Sequence, residues 1–179
     1  MLIPGLALIA GAAVLYVILG QSVHAPPTAL GHFRLETPRK ATDVAFVDTA
    51  GAQHRLSAFR GRYVLLNLWA TWCAPCLKEL PALSKLASKM PPQRFTVIAV
   101  ALPPGNIESA SAYLKDHGAS RLAAYFDSQT MMMRSFSLFG LPVTLLIDSQ
   151  ENEIGRAVGP EQWDSPDAVE YLKGITATR

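Results

Sequence analysis

The stretch "LWATWCAPC", Leu68 to Cys76, holds every cysteine of this protein: Cys73 and Cys76 are the only two among 179 residues. Leading into it is "RYVLLNLWA", Arg62 to Ala70, a continuous apolar segment of the kind that forms a strand buried on both faces. After it, Ala74 to Met90 has helical periodicity. Cys76, Leu80, Leu83 and Ala87 fall on one face, and Lys78, Lys85 and Lys89 on the opposite one. A buried strand that turns directly into an amphipathic helix, with a thiol at the turn, predicts an α/β fold with its chemistry at the helix N-terminus. Pro81 should kink that helix, because it removes a backbone donor and crowds the preceding turn.

Working outward, Val44 to Leu56 reads as a hairpin around Asp48 and Gly51. A second buried strand covers Arg94 to Leu102, and a helix follows it, with Asn106 as N-cap and Gly118 as its stop. Further strands are expected at Leu122–Asp127, Pro142–Asp148 and Glu153–Gly159, and helices at Ser128–Ser137 and Ser165–Gly174. Strands alternating with helices and closed by a hairpin predict an α/β sandwich around a mixed central sheet.

Met1 to Gly20 has no charged side chain, and such a run is long enough to cross a bilayer. We expect residues 1–21 to be a transmembrane anchor or signal sequence, 22–42 a linker, and 43–179 the globular domain. The first basic side chains, Arg34, Arg39 and Lys40, lie too far beyond the run to fix its orientation. The net charge is +2 with both signs well mixed, which argues against a nucleic-acid partner.

Cys73 is expected at a helix N-terminus, where unpaired N–H groups stabilise a thiolate. Cys76, one turn on and more covered, is placed to attack a mixed disulfide formed by Cys73. A purely structural disulfide would close a very small loop, and short loops stabilise least. A zinc site needs about four ligands, and the four histidines are scattered singly. Haem attachment needs a histidine where Leu77 stands. A thiol peroxidase works its cysteine with a Thr and an Arg rather than through a CxxC. The run Met131 to Met133 offers thioethers to Cu(I), but consecutive helical residues diverge, and core filling is the simpler reading. No metal and no cofactor beyond a Cys73–Cys76 disulfide is expected.

"NLWATWCAPCLKELPAL", "GLPVTLLID" and "EIGRAVG" together resemble the thioredoxin superfamily. Within it the chain is most similar to the bacterial, membrane-anchored TlpA/ResA-like thiol–disulfide oxidoreductases. The βα unit at about residues 94–121 matches that subgroup's insertion. The resemblance implies that Cys73 attacks and Cys76 resolves. It implies that Trp72 shields the pair, and that Pro142 is a cis-proline facing it. Leu141 would pair with the substrate strand, and Pro75 would complete the substrate-facing surface. Thioredoxin's buried Asp is replaced by Asn67, which cannot act as a base. Glu79, at about 60° from Cys76 on the helical wheel, is expected half-buried with a raised pKa, passing protons to and from the thiols.

The resemblance further implies a domain facing the periplasm from the bacterial inner membrane. The substrate would be a disulfide-bearing protein, such as apocytochrome c or a copper-site protein of cytochrome oxidase. A membrane thiol carrier would be the electron donor. Ala74 and Pro75 bring no charge between the cysteines, which by analogy favours a reductant. The alternatives are a disulfide oxidase or isomerase, a Cu(I) metallochaperone using the CxxC pair, and a redox-inert adaptor.

Overall fold

In the computed structural model, which describes residues 25–177, the apolar run becomes strand β4 (Tyr63–Trp69), near the middle of an eight-stranded sheet. The other strands are β1 (Phe33–Lys40), β2 (Ala45–Asp48), β3 (Gln53–Arg55), β5 (Phe95–Ala101), β6 (Ala124–Phe126), β7 (Val143–Ile147) and β8 (Asn152–Val158). Four α-helices are described: α1 (Ala74–Lys89), α2 (Ile107–Asp116), α3 (Met131–Ser135) and α4 (Pro166–Ala177). The strand order is β1-β8-β7-β4-β5-β6-β2-β3. β4 runs parallel to β5 and antiparallel to β7, so the sheet is mixed.

Because side chains alternate along a strand, β4 supplies both faces of the sheet. Leu65 and Trp69 join a core with Leu80, Leu83 and Leu86 of α1 and Leu172 of α4. Val64, Leu66 and Leu68 join a second core with Met132 of α3 and Leu145 of β7. Asn67 shares the α1 face with Leu65 and Trp69, and no part of it is exposed. Cross-strand pairing sets it opposite Thr144 of β7, which is equally buried.

The expected helix α1 is present and continues unbroken through Pro81. The hairpin forms as β2 and β3, with Asp48 Oδ1 accepting the Ala50 and Ala52 N–H groups and Gly51 at φ +77°. The βα unit read at 94–121 is β5 followed by α2, capped reciprocally by Asn106 and Ser109. The three methionines of α3 diverge as helix geometry requires: Met132 is buried and Met131 exposed.

The linker reading of residues 22–42 needs correction. A 3₁₀ turn at Thr28–Leu30 leads into β1, which pairs antiparallel with β8. The folded domain therefore starts before Asp43. Leu30 and Phe33 are fully buried, and Phe33 meets Trp163 and Tyr171 edge-to-face. "FRLETPRK" hides its strand character because it is an edge strand, buried at Phe33 alone. Its pairing slips between Leu35 and Arg39, around Pro38, as suits a strand whose outer side must not recruit another. Met1 to Gly20 lie outside the described residues. Among those described, no helix is long and apolar enough to cross a membrane.

Candidate active site

Strand β4 ends at Trp69, a turn at Thr71–Trp72 follows, and Cys73 caps α1. The Cys73 side chain takes the place of a capping hydroxyl: its Sγ accepts the Cys76 N–H at 3.3 Å. The two cysteines form a disulfide with Cα atoms 5.3 Å apart. Cys73 is 5 % exposed and Cys76 wholly buried, so the outer sulfur is the one a partner can reach. On reduction, the N–H groups of this first turn and the helix dipole would favour a thiolate at Cys73.

Around this pair stand the other expected residues. The Leu141–Pro142 peptide is cis. The register Leu68↔Val143 brings Pro142 beside the end of β4, at the same edge of the sheet as the CxxC turn. Pro142 is buried, Leu141 half-buried, and Pro75 exposed. Trp72 is 58 % exposed, so it is no core aromatic. Its indole Nε1 donates to Pro103 O at 3.2 Å, which holds the ring over the loop that follows β5. That loop contains a second cis peptide, Pro103–Pro104, for which the sequence reading had no expectation.

Glu79 lies deeper than expected: 2 % exposed rather than half-buried. Its Oε1 accepts from Asn67 Nδ2 at 2.6 Å. Its Oε2 accepts from the Glu161 backbone N–H at 3.1 Å and from Trp163 Nε1 at 3.3 Å. Burial pushes its pKa up from 4.5 to about 7, against the opposing pull of these three donors. One helical turn separates it from Cys76, and residues three apart on a helix are neighbours. A carboxyl poised near neutrality under a buried thiol can take or return a proton.

Sequence reasoning did not find Glu161, Trp163 or Thr144. The first two come from the segment between β8 and α4, and the Glu161 N–H that meets Glu79 is 82 positions away in the chain. Glu161 is itself buried, which raises its pKa, and its Oε1 accepts the His32 backbone N–H. Thr144 is brought to Asn67 only by the β4–β7 register, so nothing in its own neighbourhood marks it.

Residues 37–157 match the model of the AhpC/TSA family. The chain belongs to this family. As an AhpC/TSA family member it is 32 % identical over 108 residues to the thiol-disulfide oxidoreductase ResA of Geobacillus kaustophilus (strain HTA426), covering 60 % of this chain and 61 % of that one. It is 27 % identical over 143 residues to ResA of Bacillus thuringiensis subsp. konkukian (strain 97-27), covering 80 % of each. Among solved structures it resembles a protein from Chlorobium tepidum described as the thiol:disulfide interchange protein DsbE, at 29 % identity and TM-score 0.66, covering 80 % of this chain and 98 % of that one. The thioredoxin domain of a Bacteroides vulgatus thiol-disulfide oxidoreductase, at 20 % identity, TM-score 0.67 and coverage of 80 % and 99 %, shares the fold. This family member is thus a thioredoxin-like thiol–disulfide oxidoreductase with its redox disulfide in a CxxC motif.

Proposed function

We propose that the protein reduces disulfides in partner proteins on the periplasmic side of a bacterial inner membrane, held there by residues 1–21. Cys73 thiolate attacks one sulfur of the partner's disulfide. A mixed disulfide forms, and the partner's other sulfur leaves as a thiolate and takes a proton. Cys76 then gives up its proton to Glu79 and attacks Cys73 Sγ, which releases the partner's second thiol. Two electrons pass to the partner, and the Cys73–Cys76 disulfide remains. A membrane thiol carrier resets it, and no bound cofactor or metal is needed. Trp72, Pro75, Leu141 and Pro142 form the surface on which the partner lies.

The observation that carries this reading is the CxxC disulfide at the N-terminus of α1 with a buried carboxyl one turn behind it. That arrangement supplies both a reactive outer sulfur and a proton acceptor for the inner one. An oxidising compartment creates the need for a dedicated reductant. Suitable substrates are proteins whose thiols must be free to bind a cofactor, namely apocytochrome c or a copper-site protein of cytochrome oxidase.

The deciding test is the reduction potential of the Cys73–Cys76 pair, by equilibration with a glutathione series. We expect a value near the roughly −270 mV of thioredoxin. A value near roughly −120 mV would reverse the direction of electron flow and make the protein an oxidase. A Cys76→Ser variant should accumulate a partner bound covalently through Cys73. A metallochaperone would instead bind Cu(I) tightly without any mixed disulfide.

A further inference from the structure

The amide of Asn67 is fully buried against Glu79, and its two ends are unequally served. Nδ2 donates to Glu79 Oε1 at 2.6 Å and to Thr144 Oγ1 at 3.0 Å. Oδ1 is buried without a hydrogen-bond partner. Leaving such an atom unpaired costs free energy, so its presence calls for a reason.

Glu79 supplies one. Its Oε2 already accepts the Glu161 N–H and the Trp163 Nε1–H. Backbone and indole N–H groups only donate, so neither can make room for a proton on that oxygen. A proton arriving at Glu79 must therefore settle on Oε1, the oxygen that faces Asn67. There it meets the Nδ2 hydrogens, donor against donor. Half a turn of the amide about its terminal bond brings Oδ1 to the new O–H instead. The Thr144 hydroxyl can donate as well as accept, so it then donates to Oδ1. Each state keeps two hydrogen bonds through the amide and leaves one end idle: Oδ1 when Glu79 is ionised, Nδ2 when it is protonated.

We propose that Asn67 is a positioning residue for Glu79, whose amide takes one orientation against the ionised carboxylate and the reverse against a proton on Oε1, so that the proton comes and goes without net loss of hydrogen bonds. An Asp at 67 would set two carboxyl groups at 2.6 Å to share one proton. An apolar residue would leave the ionised form without its donor. The value of this device for catalysis rests on Glu79 being the proton acceptor of Cys76; the coupling of amide to carboxyl does not.

Glu79 meets Asn67 from β4 and Glu161 and Trp163 from the segment before α4, with Cys76 one turn before it on its own helix and Thr144 of β7 behind Asn67. His32 stands behind Glu161, its Nδ1 3.6 Å from Oε1. In the oxidised protein the thiols do not titrate, which leaves Glu161 and His32 as the competing signals. The test is an NMR titration of the full chain, oxidised and labelled with ¹³C and ¹⁵N. It follows the Glu79 and Glu161 carboxyl carbons, the His32 ring and the Asn67 side-chain NH₂. We expect the Asn67 NH₂ signals to move with the midpoint of Glu79 and not with that of Glu161 or His32. An Asn67→Asp variant should raise the Glu79 midpoint by about one pH unit or more. Asn67 signals that stay flat while Glu79 titrates, or that follow Glu161 or His32, would overturn the proposal, and this readout needs no variant. Failure of the parent reading looks different: Glu79→Gln would leave the pH profile of thiol exchange unchanged.

Discussion

Glu79 holds its proton more tightly in the folded protein than in the unfolded chain, because burial disfavours its charge. The sign of the consequence follows by linkage. Its contribution to stability is complete below about pH 4.5, falls as pH rises, and is gone once pH has passed about 7. The span corresponds to about 3 kcal/mol. Chemical denaturation of the oxidised protein from pH 4 to 8 should show that fall, and Glu79→Gln should flatten it. A residual slope of the same sign is expected from Glu161, also raised by burial. In the reduced protein the same variant should slow thiol exchange, by the 10²–10⁴-fold typical of a lost general base. Stopped-flow tryptophan fluorescence with a disulfide substrate would measure it. Glu79 itself was legible in the sequence from its place one turn after Cys76. Its depth was not, because the cover comes from Trp163 and Glu161, which no local pattern connects to it.

The pairing of β1 with β8 shows how an element can be fixed by one small residue. A Cβ added to Gly155 would lie 2.5 Å from Phe33 Cζ and 3.2 Å from the Arg34 carbonyl oxygen. Gly155→Ala should therefore force the Phe33 ring out of its packing, at a cost of about 1–3 kcal/mol. Differential scanning calorimetry should record the lower Tm. Gly174 in α4 offers the contrast, since a Cβ there meets nothing within 4 Å. Gly174→Ala should raise stability by about 0.5–1 kcal/mol, because alanine loses less backbone freedom on entering a helix. Both glycines look alike in sequence. Only the neighbour across the strand pair distinguishes them.

For the whole molecule, β1 closes one edge of the sheet and completes the core beneath α4. Buried Glu153 of β8 receives Arg39 of β1 at 2.9 Å and Arg156 of its own strand at 2.8 Å, which ties the edge down electrostatically as well. A chain beginning at Ala41 would lose Leu30 and Phe33 from the core and expose β8 as a new edge. It should melt at lower temperature than one beginning at Ala25, and it should self-associate, which analytical ultracentrifugation would detect. If both chains remain monomeric with equal Tm, β1 is no part of the stable domain.

The sequence by itself determined the thiol pair, the buried strand before it, the amphipathic helix after it and the alternation of the remaining elements. Those features rest on local spacing, and local spacing is what period and capping report. Resemblance to the thioredoxin superfamily, rather than local spacing, marked Pro142, whose cis peptide the structure shows. Tertiary structure alone decided that residues 33–40 form a strand, since an edge strand buries one side chain and leaves no period to read. It alone gathered Asn67, Glu161 and Trp163 around Glu79 and set Thr144 against Asn67. Those contacts cross the sheet and span most of the domain, and a hydrogen bond between distant segments leaves no trace in the order of the residues that make it.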